Sequence, residues 1–261
     1  MRVWAISNQK GGVGKTTTAV TLAGLLASKS YRVLLVDLDP HGSLSSYFRL
    51  NPDELGFSVY NLFQDAVAKR KPSPEAHIVK TAFEGIDLLP ASTALATIER
   101  LAGVGGMGLV MANSLATVSG RYDYVLMDSP PTLGALMVNA LAACTQLVVP
   151  VLSEFLAVQG LDRMLNTLDM IGRSRKLTLP YTIVPTLFDR RTRASMETLE
   201  QLKHRYGDRV WSSEIPIDTR LREASQAGVP PSLYAPSSRA VLAYTDLLEH
   251  LLEIDGNTDM P

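Results

Sequence analysis

A run of ten residues carries the strongest chemical signal in the chain: Gln9-Lys10-Gly11-Gly12-Val13-Gly14-Lys15-Thr16-Thr17-Thr18. The small residues Gly11, Gly12, Val13 and Gly14 let backbone N–H groups wrap a polyphosphate, and Lys15 can reach its outer oxygens. A helix opening at Thr16 and Thr17 would aim its positive end at the same anion, and the Thr16 hydroxyl suits Mg²⁺. The common G-x-x-x-x-G-K-[ST] spacing would put glycine at position 9, where this chain has Gln9, and Lys10 is an additional cation. A loop that merely turned the chain would account for the glycines but not for Lys15-Thr16 between a strand and a helix.

Acidic residues gather at the ends of other extended runs. In Val36-Asp37-Leu38-Asp39-Pro40-His41-Gly42 the two aspartates fall on one side of an extended chain as it leaves the sheet. Asp128 closes the run Tyr122-Asp123-Tyr124-Val125-Leu126-Met127-Asp128-Ser129-Pro130-Pro131. A lone acid in such a place is often a helix cap or turn former. Three at the carboxyl edge that the glycine loop already marks point instead to metal and water handling.

Positioning these groups requires a parallel sheet. Short apolar runs at 3–7, 32–37, 86–89, 124–128, 146–151 and 181–188 read as strands, and helical spacing covers 16–28, 93–119, 134–143, 156–172, 193–206 and 237–252. The glycines of 103–108 should interrupt the second helix, and 40–85 and 189–233 read as largely irregular. The alternation predicts an α/β fold: a predominantly parallel, doubly wound central sheet flanked by helices. No linker or repeat divides it, so residues 1–261 read as one domain with a flexible acidic tail from about 253.

Composition narrows the classes further. With 261 residues and 46% hydrophobic content the chain can bury a large core. Lys and Arg total 25 against 26 Asp and Glu, which excludes binding nucleic acid through overall basic charge but allows a local basic face. The one cysteine, Cys144, cannot form an internal disulfide or a cysteine-rich metal site; it reads as a core residue on an apolar helix and fits a reducing cytoplasm. No signal peptide or spanning segment is evident, so a soluble cytoplasmic protein is expected.

The run Lys10-Gly11-Gly12-Val13-Gly14-Lys15-Thr16-Thr17 resembles the signature of the deviant Walker A ATPases, the ParA/MinD family. The resemblance extends from residue 2 to about 252. It implies a P-loop fold, ATP and Mg²⁺ as cofactors, and slow hydrolysis without a partner. Lys10 would cross a nucleotide-sandwich homodimer to the partner's phosphates, Asp39 would orient or polarise the attacking water, and Asp37 would support the metal shell. The run ending in Asp128 resembles the family's Walker B strand, which suits a water-mediated hold on Mg²⁺. His41 departs from the glutamine usual there, leaving open a solvated loop residue or a tuning role.

Farther on, Val184-Pro185-Thr186-Leu187-Phe188-Asp189 and Glu214-Ile215-Pro216 look like the family's base-side segments, making Thr186 and Pro216 candidates for the adenine pocket. Arginines at the places of Arg191 and Arg220 are associated in ParA-type proteins with sequence-independent DNA binding. Arg193 and Arg222 lie beside them in a stretch, 189–222, holding eight basic side chains against six acidic ones. Pro216-Ile217-Asp218 stands where the family often has Pro-Arg-Asn, so one cation is lost and an anion gained. A solvated, salt-bridged face with no DNA role is the alternative reading of this stretch.

A MinD-like membrane helix should be basic, yet residues 249–261 carry Glu249, Glu253, Asp255 and Asp259 with no Lys or Arg, so direct membrane insertion is not expected. Asp39-Pro40-His41, Arg191-Thr192-Arg193-Ala194-Ser195 and Pro216-Ile217-Asp218-Thr219 look like the ParC-type ATPases that position chemotaxis arrays at the cell pole. That likeness implies a cargo adaptor as partner and enrichment at the nucleoid or a pole. Chromosome or plasmid partitioning is the nearest alternative, and a metabolic ATP-dependent ligase or kinase on the same fold is the competing class.

Overall fold

A computed structural model of the chain describes residues 1–101, 107–175 and 179–258. Its centre is a seven-stranded sheet of order β3-β4-β2-β5-β1-β6-β7. The strands are β1 (Arg2–Ile6), β2 (Val33–Asp37), β3 (Val79–Lys80), β4 (Ile86–Leu89), β5 (Tyr124–Asp128), β6 (Gln146–Leu152) and β7 (Tyr181–Thr186). All pairings are parallel except β3 with β4. Each run read as a strand from the sequence is one, and the mostly parallel, helix-flanked sheet agrees with the expected class.

Side-chain alternation along the strands sorts the core into two layers. Trp4 and Ile6 of β1 and Val33 and Leu35 of β2 join Leu22 and Leu26 of α1 (Lys15–Ser28) and Tyr244, Leu247 and Leu251 of α10 (Arg239–Thr258) on one face. Val3, Ala5, Leu34 and Val36 point the other way, into residues from α3 (Val59–Val67), α4 (Val110–Ala116), α5 (Ala135–Ala143) and α6 (Phe155–Arg175). Each fully buried Leu or Val in these layers is worth roughly 1.5–3 kcal/mol relative to exposure. The remaining helices are α2 (Ser43–Tyr47), α7 (Arg193–Tyr206), α8 (Thr219–Ala227) and α9 (Pro231–Tyr234).

Four expectations need correction. The stretch 40–85 is less irregular than expected: it holds α2, α3 and the edge strand β3. Helix α3 starts at a reciprocal cap, with Ser58 Oγ accepting from Tyr60 N at 3.2 Å and Asn61 Oδ1 accepting from Ser58 N at 2.8 Å. Likewise 189–233 contains α8 and α9 beyond the expected α7. Cys144 is not a core residue on a helix; it is the C-cap that follows α5 and is half-buried.

The expected flexible tail is helical as far as Thr258, because Asp255 is buried and accepts a 3.0 Å hydrogen bond from Trp4 Nε1. Of the break expected at 103–108, residues 103–106 lie outside the described residues, while Met107–Leu109 form a 3₁₀ turn. Among the described residues no helix is long and apolar enough to cross a membrane.

Candidate functional site

The carboxyl ends of β1, β2 and β5 meet at the centre of the sheet, where the chain turns from one half of the fold to the other. Ligand crevices of open parallel sheets form at such an edge. The loop from β1 to α1 is braced from below by buried side chains. Asn8 Nδ2 donates to Pro150 O at 2.7 Å while its Oδ1 accepts from Lys10 N at 3.0 Å. Thr186 Oγ1, at the end of β7, donates to Val13 O at 2.9 Å.

Above these braces the loop is open. Gly12 and Gly14 have φ of 75° and 89°, a left-handed conformation that disfavours any side chain. A Cβ at Gly11, Gly12 or Gly14 would meet nothing within 4 Å, so the loop forms a bare cradle with the amino end of α1 at its base. Lys15 is 8% exposed, and its ammonium donates to Lys10 O at 3.4 Å. Burial lowers its pKa, and the nearby Asp128 and Asp39 carboxylates act in the opposite direction.

The three acids converge as expected. Asp37 and Asp128 are register partners on β2 and β5 and both are buried. Thr16 Oγ1 donates to Asp128 Oδ2 at 2.5 Å, while Asp128 Oδ1 is buried with no hydrogen-bond partner. Asp37 Oδ2 accepts from both Ser45 N and Ser45 Oγ at 2.7 Å, and its Oδ1 accepts from Asp39 N at 3.2 Å. Asp39 Oδ1 in turn accepts from His41 N at 3.0 Å and lies 2.8 Å from His41 Nδ1. Burial pushes Asp128 up to about 8 and Asp37 up to about 7, and in Asp128 the Asp37 charge adds to the rise.

Among the described residues no group of three His, Cys, Asp or Glu forms a metal cage. The Thr16 hydroxyl and the unpartnered Asp128 oxygen, side by side at the foot of the cradle, are the groups that could hold Mg²⁺, directly or through water. Thr17 sits in the first turn of α1, its carbonyl accepting from Thr21 Oγ1 at 2.7 Å. The second lysine faces elsewhere: Lys10 Nζ lies 3.2 Å from Glu154 Oε2 on the same chain.

Pro216 belongs to a segment that runs beside the end of β7, where Ile215 N donates to Pro185 O at 2.8 Å and Ile217 N to Phe188 O at 3.1 Å. Pro216 lines a groove of about 510 Å³ together with Phe188, Arg190, Arg191, Ile217 and Arg239. The same strap sets Phe188, three residues before Arg191, against Pro216 and Ile217, and the chain then runs through Asp218 into α8, which carries Arg220 and Arg222. Arg191 pairs with Asp189 at 2.8 Å, Arg193 with Glu197 at 2.5 Å and Arg220 with Glu223 at 2.7 Å. Asp218, an anion where Asn is usual, caps α8 by accepting from Arg220 N at 3.0 Å and also accepts from Ala240 N at 3.2 Å.

Sequence reading missed Asn8, Ser45 and Glu154. Ser45 reaches Asp37 only because Gly42, at φ 60°, reverses the chain into α2, and Glu154 is 144 residues from Lys10. No local spacing signals either contact.

Comparison with known proteins agrees with this geometry. A family profile described as an AAA domain matches residues 1–180. The chain is 36% identical to the sporulation initiation inhibitor protein Soj of Bacillus subtilis over 253 residues, covering 96% of this chain and 98% of that protein. It is 34% identical to the chromosome partitioning protein ParA of Caulobacter vibrioides, covering 97% and 94%. Among solved structures, cobyrinic acid a,c-diamide synthase from Mycobacterium smegmatis with bound ATP analog and magnesium superposes with a TM-score of 0.81 at 33% identity, covering 97% of this chain and 94% of that one. The glycine cradle with its two lysines, the Thr16–Asp128 contact and near full-length similarity to Soj and ParA converge on one assignment: this chain belongs to the ParA/MinD family of P-loop ATPases.

Proposed function

We propose that the chain is a nucleotide-driven switch that partitions or positions a cellular cargo. ATP with Mg²⁺ occupies the cradle, two copies clasp the nucleotides, and hydrolysis releases the pair. The observation that carries this reading is the pairing of Lys15, buried beneath the cradle, with Lys10 at its outer rim, where it is free to exchange its exposed Glu154 partner for a phosphate across a dimer. Bound Mg²⁺ would neutralise phosphate charge and polarise the bond to be cleaved. Lys15 would hold the outer phosphates, Thr16 would orient toward the metal, and Asp39 would fix the attacking water.

In the dimer the arginines around Arg191 and Arg220, with Arg193 and Arg222, bind DNA backbone without reading sequence. Their exposed carboxylate partners are weak competitors for phosphate. The motif likeness at Asp39-Pro40-His41 and Pro216-Ile217-Asp218 favours a chemotaxis-array adaptor as cargo, with polar enrichment; the similarity to Caulobacter ParA favours chromosome partitioning as the alternative. A metabolic ATP-dependent ligase or kinase is the second reading, favoured by the likeness to the mycobacterial cobyrinic acid a,c-diamide synthase.

Sedimentation velocity of Asp39→Ala protein tests the switch. ATP with Mg²⁺ should convert it from monomer to dimer while ADP does not, and it should hydrolyse poorly. A protein that stays monomeric with ATP and turns over only with a small acceptor is a ligase.

A further inference from the structure

Helix α2 begins four residues after Asp39 and is held at both ends by contacts that serve different parts of the molecule. At its start Ser45 donates twice to Asp37, and Ser45 Oγ also accepts from Ala91 N at 2.9 Å. At its last residue and two residues beyond, two side chains reach the far terminus of α8. Tyr47 OH donates to Val229 O at 2.9 Å, and the Arg49 guanidinium donates to Gln226 O.

These contacts have a clear physical purpose at α8. The last carbonyls of a helix lack intrahelical donors and carry the negative end of its dipole. Arg49, 177 residues away in sequence, supplies both a donor and a positive charge there. Asp218 does the complementary job at the opposite end of the helix by accepting from Arg220 N. The approach is close: a Cβ on Gly228, which has φ 72°, would lie 3.0 Å from both Arg49 Nε and Tyr47 O. Tyr47 is 6% exposed, so its ring is fixed in the core while its hydroxyl makes the contact.

The acids of the nucleotide site and the arginines at the start of α8 are therefore joined by α2, the Tyr47–Arg49 clamp and a helix of nine residues, about 13 Å long at 1.5 Å per residue. We infer that this clamp transmits nucleotide state to α8: when Asp37 and Asp39 reorganise around the bound ion and phosphate, α2 moves with Ser45, and Tyr47 and Arg49 reset the posture of Arg220 and Arg222. Tyr47 and Arg49 are positioning residues; neither touches the cradle. The inference rests on the reading of the cradle as an ATP–Mg²⁺ site and gives a physical route for the coupling of that site to DNA.

Hydrogen–deuterium exchange on the full chain reads the coupling without requiring DNA to bind. In wild-type protein, ATP with Mg²⁺ should change exchange both in the loop 9–18 and across 219–229. In the Tyr47→Phe/Arg49→Gln double variant the loop response should persist and the response across 219–229 should vanish. The single variant Arg49→Gln, at an exposed position, should halve that response or more and serves where the double variant folds poorly. An undiminished α8 response in these variants, or a wild-type α8 that ignores nucleotide while the loop responds, overturns the inference. A loop that does not respond instead overturns the ATP reading.

The same variants should lower the ratio of DNA retained with ATP to that retained with ADP by at least ~5-fold, the lower range of coupling between linked sites. DNA retention by wild type tests the DNA reading separately. Arg220→Ala should lose retention in every nucleotide state while keeping the exchange response.

Discussion

Asp37 and Asp128 stand opposite each other in register at the carboxyl ends of β2 and β5, two carboxyl groups side by side and sealed from water. Burial holds them at about 7 and about 8, against a starting value of 3.8. A carboxyl raised on folding contributes stability that is complete below its unfolded pKa and is lost as pH rises through the folded one. The nucleotide-free protein should therefore melt at progressively lower temperature from about pH 4 to 8 and level off above that, and Asp128→Asn should flatten that slope. A bound divalent ion favours the ionised pair, so the rise in melting temperature given by ATP with Mg²⁺ should grow over the same window. Melting curves at a series of pH values decide it, and a metal-free melting temperature that climbs with pH would contradict the burial effect.

Among the described residues Lys15 is the one buried ammonium, and at the cradle its interaction with phosphate would be poorly screened. Lys15→Ala should weaken binding of a fluorescent ATP analogue by roughly 10- to 100-fold, the equivalent of one or two charge-assisted hydrogen bonds. Relief of its own desolvation should leave the melting temperature of the free protein unchanged or raised. Titration together with a melting curve separates a lost contact from a lost fold.

The legibility of the sequence followed the length scale of each feature. Val33-Leu34-Leu35-Val36 and Val125-Leu126-Met127 announce buried parallel strands because both faces are covered, and the cradle is a contiguous run. The convergence of Asp37 and Asp128 was legible because topology alone brings strand ends together. What escaped was made by tertiary contact: Ser45 on Asp37, Glu154 on Lys10, and Trp4 on Asp255, which extends α10 past the expected boundary. Strand β3, two residues long, has no periodicity to detect. Helix α3 opens with Ser58-Val59-Tyr60-Asn61, a capping box whose third helical position is Asn in place of the usual Glu or Gln, which makes the signal weak.

Lys10 and Glu154 set a third expectation. Their side chains are 33% and 62% exposed, so the pair is worth at most about 1 kcal/mol and weakens with salt. Glu154→Gln should release Lys10 and shift ATP-dependent dimerisation to lower protein concentration by no more than about fivefold, with the difference from wild type shrinking at high salt. Lys10→Ala should keep nucleotide affinity yet fail to dimerise. Sedimentation across a concentration series reads both, and a Lys10→Ala protein that dimerises normally would remove this lysine from the interface.

Thr186 offers a choice between two jobs that a single substitution can separate. Its hydroxyl donates to the Val13 carbonyl and the residue is 2% exposed, the geometry of a brace under the cradle. Thr186→Val keeps the shape but leaves a buried carbonyl unpaired, at a cost of about 1–3 kcal/mol in stability. A loosened loop would grip every polyphosphate less well, so ATP, GTP and tripolyphosphate should lose affinity by the same factor. A side chain that read the base would behave differently: tripolyphosphate binding would be untouched and the ratio of ATP to GTP affinity would move. Competition of the three ligands against one fluorescent nucleotide distinguishes these patterns, and the bond to Val13 leads us to expect the uniform loss.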